Sequence, residues 1–317
     1  MKILITGAAG MLGSALVPAL AEAGHEVHPT DLRRVGERLW GAEGPTVTKL
    51  DVRSRDEIAS AFARVRPALV AHLAAETDLE VCESNPEHAY ATNSLGTRDV
   101  ALAASAGDIP MVYISTAGVF DGRKDEPYIE YDAANPINVY GRSKLAGEQY
   151  VSTFVSRFYI VRAGWMVGGG ERDHKFVAKI VAQLERGARV IHAVDDRLGT
   201  PTYAPDFSRC LVGLLGTRRY GLYHMASTGR ATRYDVARKI LEVLGRSGDV
   251  ELKSVSSEFF NDSYPAPRPR SEMMRNLLLE LQGLNTMRPW QIALEEYLVT
   301  AFADLRVASP QQENGVR

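Results

Sequence analysis

Cysteine is nearly absent: Cys82 and Cys210 lie far apart in 317 residues, and neither belongs to a pair at metal-ligand or redox spacing. That excludes a disulfide framework and fits a reducing, cytoplasmic compartment. No apolar run approaches the ~20 residues of a membrane-spanning helix. The first residues form a strand pattern, with no charged stretch followed by an apolar core, so no secretory leader is expected. There is no sustained Lys/Arg block either. The 37 basic residues face 39 acidic ones for a net charge of −2, which offers nucleic acid no electrostatic footprint. Internal repeats and low-complexity tracts are missing. His174 and His224 lack a Cys or carboxylate partner at ligand spacing, so no metal is expected. Ser115 and Thr116 lie in no Gly-x-Ser-x-Gly elbow, which argues against a hydrolase nucleophile.

At its length the chain spans about two average domains and can bury a large core. Apolar runs near 2–6, 26–30, 46–50, 68–72, 110–115 and 158–162 alternate with helical patterns near 11–23, 54–64, 86–106 and 139–155. Such alternation predicts a parallel sheet covered on both faces. Pro18, inside the first helical pattern, predicts a kink there without a break. After Gly164 the pattern changes: a Gly168-Gly169-Gly170 loop precedes helices near 173–187, 204–216 and 232–245, and 263–270 is too proline-rich for a regular element. The expected organisation is a dinucleotide-binding lobe, 1–163, and a smaller substrate-binding lobe, 164–202 with 222–289. Returns to the first lobe are expected near 203–219 and 290–304, with a frayed tail over 306–317.

The first strand pattern passes without a break into Gly7-Ala8-Ala9-Gly10-Met11-Leu12-Gly13 and then a helix. In that context Gly7 allows a tight turn, Gly10 lets a pyrophosphate approach the backbone, and Gly13 lets the helix pack on the strand. Amides at the helix start then face the phosphates. Asp31 ends the second strand about twenty residues on, where a carboxylate can accept from an adenosine ribose. Glycines also end ordinary strands, and Asp31 suits a turn, but the order strand, glycines, helix, strand, acid favours a dinucleotide site. The carboxylate argues for NADH. Arg33 and Arg34 beside it are often a solvated turn, yet they can meet a 2′-phosphate, so NADPH stays open.

Tyr140-Gly141-Arg142-Ser143-Lys144 places a phenol and an ammonium on one face of a helix. A half-buried Tyr beside a solvated Lys gives the same pattern on many amphipathic helices. Beside a dinucleotide site, the ammonium favours the phenolate and the pair can move a proton to or from a carbonyl/alcohol couple. His72 ends an apolar strand and reads as a hydrogen-bonded core residue.

Together, Gly-x-x-Gly-x-x-Gly and Tyr140-x-x-x-Lys144 resemble the extended short-chain dehydrogenase/reductase family over nearly the whole chain. The resemblance implies an α/β, Rossmann-type doubly wound parallel sheet with a smaller mixed α/β substrate-binding lobe. It implies a catalytic triad of Thr116, Tyr140 and Lys144. It also implies that NADH or NADPH is held by Gly7, Gly10, Met11, Leu12 and Gly13, by Asp31, Leu32 and Arg33, and by Asp51 and Val52. Leu73, Ala74, Ala75 and Asn93, with Tyr140 and Lys144, complete that set. Within the family, Ser115-Thr116, Val119-Phe120-Asp121-Gly122 and Ser143-Lys144-Leu145-Ala146-Gly147-Glu148 are similar to the active-site segment of dTDP-4-dehydrorhamnose reductases. Asp195-Asp196, Gly199-Thr200-Pro201-Thr202, Tyr223-His224 and Arg268-Pro269 are similar to their substrate-domain motifs.

That likeness implies reduction of a nucleotide-linked 4-keto-6-deoxysugar, with Thr116, Ala117, Trp165 and Arg268 as substrate contacts. Arg268 and Arg270 would hold the diphosphate. It leaves room for a homodimer. Two segments depart from the pattern: Ala117-Gly118 stands where these reductases have Asp-Tyr, and Arg270-Ser271-Glu272-Met273 replaces an Asn-Ser segment. Both lie where substrate binds, so the sugar is less defined than the chemistry. A nucleotide-sugar epimerase or dehydratase that retains its NAD, and a catalytically idle regulatory subunit of the same fold, are the alternatives.

Overall fold

The computed structural model describes residues 1–306. Seven strands form one parallel sheet: β1 (Lys2–Thr6), β2 (Glu26–Asp31), β3 (Thr48–Lys49), β4 (Leu69–His72), β5 (Met111–Thr116), β6 (Phe158–Ala163) and, far along the chain, Gly221–Met225. Their spatial order places the last strand beside β6, followed by β5, β4, β1, β2 and β3. The sheet reverses direction of growth at β1, as a doubly wound sheet does.

Alternation along β1 decides which helices cover which face. Ile3 and Ile5 enter a core with Leu12, Leu16 and Leu20 of α1 (Met11–Glu22), whereas Leu4 joins Ile58 of α2 (Arg55–Val65) on the other side. Successive strand side chains point to opposite faces, so near-continuous apolar strands require helices on both. Val100 of a helix at Thr97–Ala106 and Val151 of another at Val139–Phe154 complete the second face, and Phe207 and Leu211 of a helix at Ala204–Thr217 complete the first. Helix α1 runs unbroken through Pro18.

The expected helix over 86–106 is three pieces. After α3 (Leu79–Ser84) and α4 (Pro86–Tyr90) comes a π-helical stretch, Ala91–Gly96, and only then α5 (Thr97–Ala106). The wide turn carries Asn93 into the interior, where local side-chain bonds compensate for the poorer helix geometry. The expected strand at 46–50 shrinks to two residues, β3.

Beyond α6 (Val139–Phe154) and β6, the second lobe contains β7 (Trp165–Val167), α7 (Phe176–Glu185), β8 (Val190–Val194) and β9 (Pro201–Tyr203). Next come α8 (Ala204–Thr217), β10 (Gly221–Met225), α9 (Arg233–Val243), β11 (Glu251–Val255), α10 (Leu277–Leu281) and α11 (Trp290–Ala301). β8 pairs with β11 and β7 with β9. Two placements differ from the sequence reading. β10, expected in the second lobe, is the seventh strand of the large sheet: Tyr223 and Met225 enter the core beneath α1 and α8. α11, expected to return to the first lobe, packs Leu294, Tyr297 and Leu298 against Val236, Ile240 and Leu241 of α9 and Ile180 of α7. An amphipathic stripe shows that a helix is covered and not which core covers it. Apart from the exposed Arg306, the expected tail lies outside the described residues. Among those residues no helix is long and apolar enough to cross a membrane.

Candidate active site

Gly7 has a left-handed backbone, φ 69°, and a Cβ there would stand 2.6 Å from the Ala74 backbone. A Cβ at Gly13 would stand 2.0 Å from the Ala8 carbonyl oxygen. Only hydrogen fits at either position, so β1, its turn, α1 and the segment after β4 are pressed together. Above Gly10 the space is open: a Cβ there would meet nothing closer than 3.4 Å. α1 begins at this open side with no capping side chain and no acidic residue in its first turn. Its amides are therefore available to phosphate oxygens, and the cradle fits a dinucleotide. Asp31 accepts from the Ala9 amide at 3.0 Å and from the Arg33 amide at 2.9 Å, which ties the glycine turn to the end of β2. Leu32 and Arg33 are exposed at the same lip. Asp51 hydrogen-bonds Arg53, which holds its carboxyl below the usual range, and Val52 is buried against Gly96.

Asn93 works inside the protein. Its Oδ1 accepts from the Glu76 amide at 2.8 Å, and its Nδ2 donates to the Glu76 carbonyl at 2.9 Å and to Ser143 Oγ at 3.0 Å. It thereby holds the segment after Leu73-Ala74-Ala75 against α6. His72 is fully buried between Thr6 and Thr97, with Oγ1 atoms at 2.7 and 3.0 Å from its ring nitrogens. Burial, and secondarily Lys144, pushes its pKa down to about 3, so it is a neutral core residue.

α6 starts at Asn138, whose Oδ1 caps the Gly141 amide at 2.8 Å and whose Nδ2 donates to the Pro267 carbonyl at 2.8 Å. The helix then lies against the turn after β5 so closely that a Cβ at Gly141 would stand 2.1 Å from the Gly118 carbonyl oxygen. This contact brings Tyr140 to Thr116. Thr116 Oγ1 accepts from the Gly118 amide at 3.0 Å, leaving its own proton to be donated elsewhere. Burial drives the Tyr140 phenol well above its ordinary range, opposed by Thr116 and reinforced by the negative charges of Glu272 and Glu76. The depression of Tyr140 expected from Lys144 is therefore overridden by desolvation. Lys144 is buried, its ammonium lies 4.2 Å from the centre of the Tyr113 ring, and burial lowers its pKa to about 7. Tyr113 in turn donates to the Lys144 carbonyl at 3.2 Å. The arrangement pairs a protonated phenol with a lysine that titrates near neutrality, beside a hydroxyl donor.

The second lobe closes on this edge. Lys175 donates to the Thr77 carbonyl at 3.1 Å and to Thr77 Oγ1 at 3.0 Å, and Arg172 donates to the Leu39 carbonyl at 2.9 Å. Ala117 is buried in the turn after Thr116. Trp165, at the start of β7, donates from Nε1 to Glu272 Oε2 at 2.7 Å. Arg268 makes a two-pronged bond to Glu80, both contacts at 3.0 Å, so its guanidinium fork is engaged across the two lobes. Arg270 is paired with Asp125.

A model of the RmlD substrate binding domain matches residues 1–302. The chain belongs to that family. It is 33% identical over 297 residues to the dTDP-4-dehydrorhamnose reductase of Mycolicibacterium smegmatis, covering 93% of this chain and 84% of that one. Among solved structures it is similar to a dTDP-4-dehydrorhamnose reductase from Clostridium acetobutylicum, with a TM-score of 0.85 and 33% identity over 95% of this chain and 99% of that one. It is likewise similar to the Bacillus anthracis dTDP-4-dehydrorhamnose reductase in complex with NADP, with a TM-score of 0.83 and 31% identity over 94% and 99% of the two chains. Family membership agrees with the resemblance carried by the glycine turn and Tyr140-x-x-x-Lys144. Three residues that shape the edge carried no motif: Tyr113 under Lys144, Glu76 on Asn93, and Glu272 on Trp165. Of these only Glu272 had a signal, because it lies in a segment that departs from the reductase pattern.

Proposed function

We propose that this chain is an NAD(P)H-dependent reductase of a nucleotide-linked 4-keto-6-deoxysugar, with conversion of dTDP-4-dehydro-L-rhamnose to dTDP-L-rhamnose as its reaction, in the cytoplasm. The observation that carries the reading is the meeting of Thr116, Tyr140 and Lys144 at the strand ends next to the open side of the Gly7–Gly13 cradle. The bound nicotinamide cofactor supplies the hydride. Tyr140, a protonated phenol up to high pH, gives its proton to the oxygen that becomes the C4 hydroxyl. Lys144 steadies the phenolate left behind when it is itself protonated. Thr116 donates its free proton to the same sugar oxygen, and donors already in place cost no reorganisation as charge grows there.

The test is NAD(P)H oxidation by the purified protein with dTDP-4-dehydro-L-rhamnose. Stoichiometric reduction supports the proposal. Binding of NADPH with no net oxidation, while the sugar is epimerised or dehydrated, would overturn it.

A further inference from the structure

Where the family resemblance expects Asp-Tyr, this chain has Ala117-Gly118, so a carboxylate and a phenol are missing beside Thr116. The backbone did not demand the loss. Gly118 has no left-handed conformation, and a Cβ there would meet nothing closer than Thr116 at 3.4 Å, with Glu272 Oε1 at 3.7 Å. A larger side chain at 118 would run into Glu272, which comes from the other departing segment, Arg270-Ser271-Glu272-Met273. The two departures meet in space: one removes polar groups, and the other returns a carboxylate to the same place.

Glu272 is poorly explained as a purely structural residue. Trp165 occupies Oε2, and among the described residues Oε1 makes no hydrogen bond. Burial raises the pKa of its carboxyl, against the Trp165 hydrogen bond and the positive charges of Arg268 and, more strongly, of Arg233 at the start of α9. Among the described residues Glu272 and Arg233 form no close ion pair. Arg233 instead lies 3.7 Å from the centre of the Trp165 ring and 5.1 Å from that of Phe176, and none of its N–H groups makes a hydrogen bond among those residues. A carboxylate oxygen and a guanidinium, both partly buried and both with unused bonding capacity, thus flank one tryptophan, two residues beyond Ala163, which pairs with Thr116 across the sheet. Both groups are half-buried, so a sugar that reached them would meet a charged acceptor and a charged donor with bonds still to make.

We infer that Glu272, steadied by Arg233, reads a ring hydroxyl of the sugar in this chain, in place of the Asp-Tyr pair absent at 117–118. Glu272 Oε1 accepts from the hydroxyl beside the ketone, and Arg233 donates to an adjacent sugar oxygen. The inference rests on the reductase reading of the same site and names the group that selects its substrate. It assigns the site to neutral sugars hydroxylated next to C4 and ranks their deoxy analogues below them.

The experiment compares the parent 4-keto-6-deoxysugar nucleotide with its 2-deoxy and 3-deoxy analogues in wild type, Glu272→Gln, Glu272→Ala and Arg233→Gln, with NADPH affinity measured alongside. A hydrogen bond to a charged acceptor supports discrimination of roughly 10–100-fold in kcat/KM. Wild type is expected to prefer the parent by that factor over one analogue. Glu272→Ala should bring the two within a few-fold by raising KM for the parent alone, Glu272→Gln should keep part of the preference, and NADPH affinity should not move. Gly118→Tyr should impair wild type and be tolerated with Glu272→Ser. Should Glu272→Ala not fold, Glu272→Gln retains a carbonyl for Trp165 and carries the comparison. Equal loss on parent and analogues overturns the inference, as does a wild type that reduces all three alike. If wild type reduces none while binding NADPH, the reductase reading itself fails.

Discussion

Residues 1–163 bring Gly7 and Thr116 to the cleft at the ends of β1 and β5, parallel strands with β4 between them, and bring Tyr140 and Lys144 on a helix pressed against the turn after β5. The second lobe reaches the same edge from a three-residue strand (Trp165), the first turn of a helix (Arg233) and a proline-rich loop (Arg268, Glu272). On the first side, positions are set by backbone contacts too close for a Cβ and by buried partners. On the second, they are set by side chains meeting across long sequence separations. On the proposed reading, the chemistry sits on the half held by close backbone contacts and the choice of sugar on the half held by side chains.

Removing the proton donor is the strongest way to break that division. Tyr140→Phe should lower turnover by roughly 10²–10⁴-fold while leaving NADPH affinity nearly intact, because the phenol acts on the substrate oxygen. A steady-state assay with a cofactor titration reads both, and an unchanged kcat would put the chemistry elsewhere.

Rigidity on the first side can be measured through Arg162 of β6, whose guanidinium bonds both oxygens of Glu148 at 2.9 and 2.7 Å with each side chain only 5% exposed. Arg162→Met leaves a buried carboxylate alone, and denaturant unfolding should record a loss of about 3–5 kcal/mol. A loss below 1 kcal/mol would mean that the pair is solvated.

Lys144 supplies a pH signature. Its pKa in the fold, about 7, lies below the ordinary 10.5, so the folded protein releases this proton first. The neutral amine cannot steady a phenolate, and kcat/KM for reduction should fall as pH rises through about 7, up to tenfold per unit. The same shift makes this residue's contribution to stability increase with pH between the two values, since the unfolded chain holds the proton longer there. Lys144→Arg, which stays charged, should lose the descending limb even if it is slower throughout. A limb that persists in Lys144→Arg belongs to another group.

A smaller effect is expected at Asp31. Its carboxylate repels a 2′-phosphate, so wild type should favour NADH over NADPH by about tenfold, ~1.4 kcal/mol, and Asp31→Ala should erase the preference. A strong NADPH preference untouched by the mutation would show that Asp31 serves only the Ala9 and Arg33 amides it already accepts from.

The smallest change should come from the ion pair that joins the lobes. Glu80 and Arg268 are 26% and 35% exposed, and Glu80→Gln should cost no more than about 1 kcal/mol of stability. If the variant binds the nucleotide sugar more tightly, Arg268 is a diphosphate ligand that Glu80 holds in reserve. Unchanged substrate affinity would make the pair a strut.

The sequence by itself determined the glycine turn, the alternation of strands and helices, and the Tyr140/Lys144 spacing, because each is local. A left-handed turn needs glycine at one position, a strand buried on both faces needs an apolar run, and two side chains four residues apart share a helix face. Tertiary structure alone decided that β10 extends the large sheet and that α11 covers the second lobe, because an apolar stripe does not name its partner. It alone turned Asn93 inward on a π-helical stretch and slid Tyr113 beneath Lys144. It also overrode the expected depression of Tyr140, since desolvation depends on what surrounds a group in space and not on the neighbour one helical turn away. The meeting of Glu272 with Gly118, residues 154 apart, has the same origin. Each substitution is visible in the sequence, and only the folded chain shows that they occupy one place.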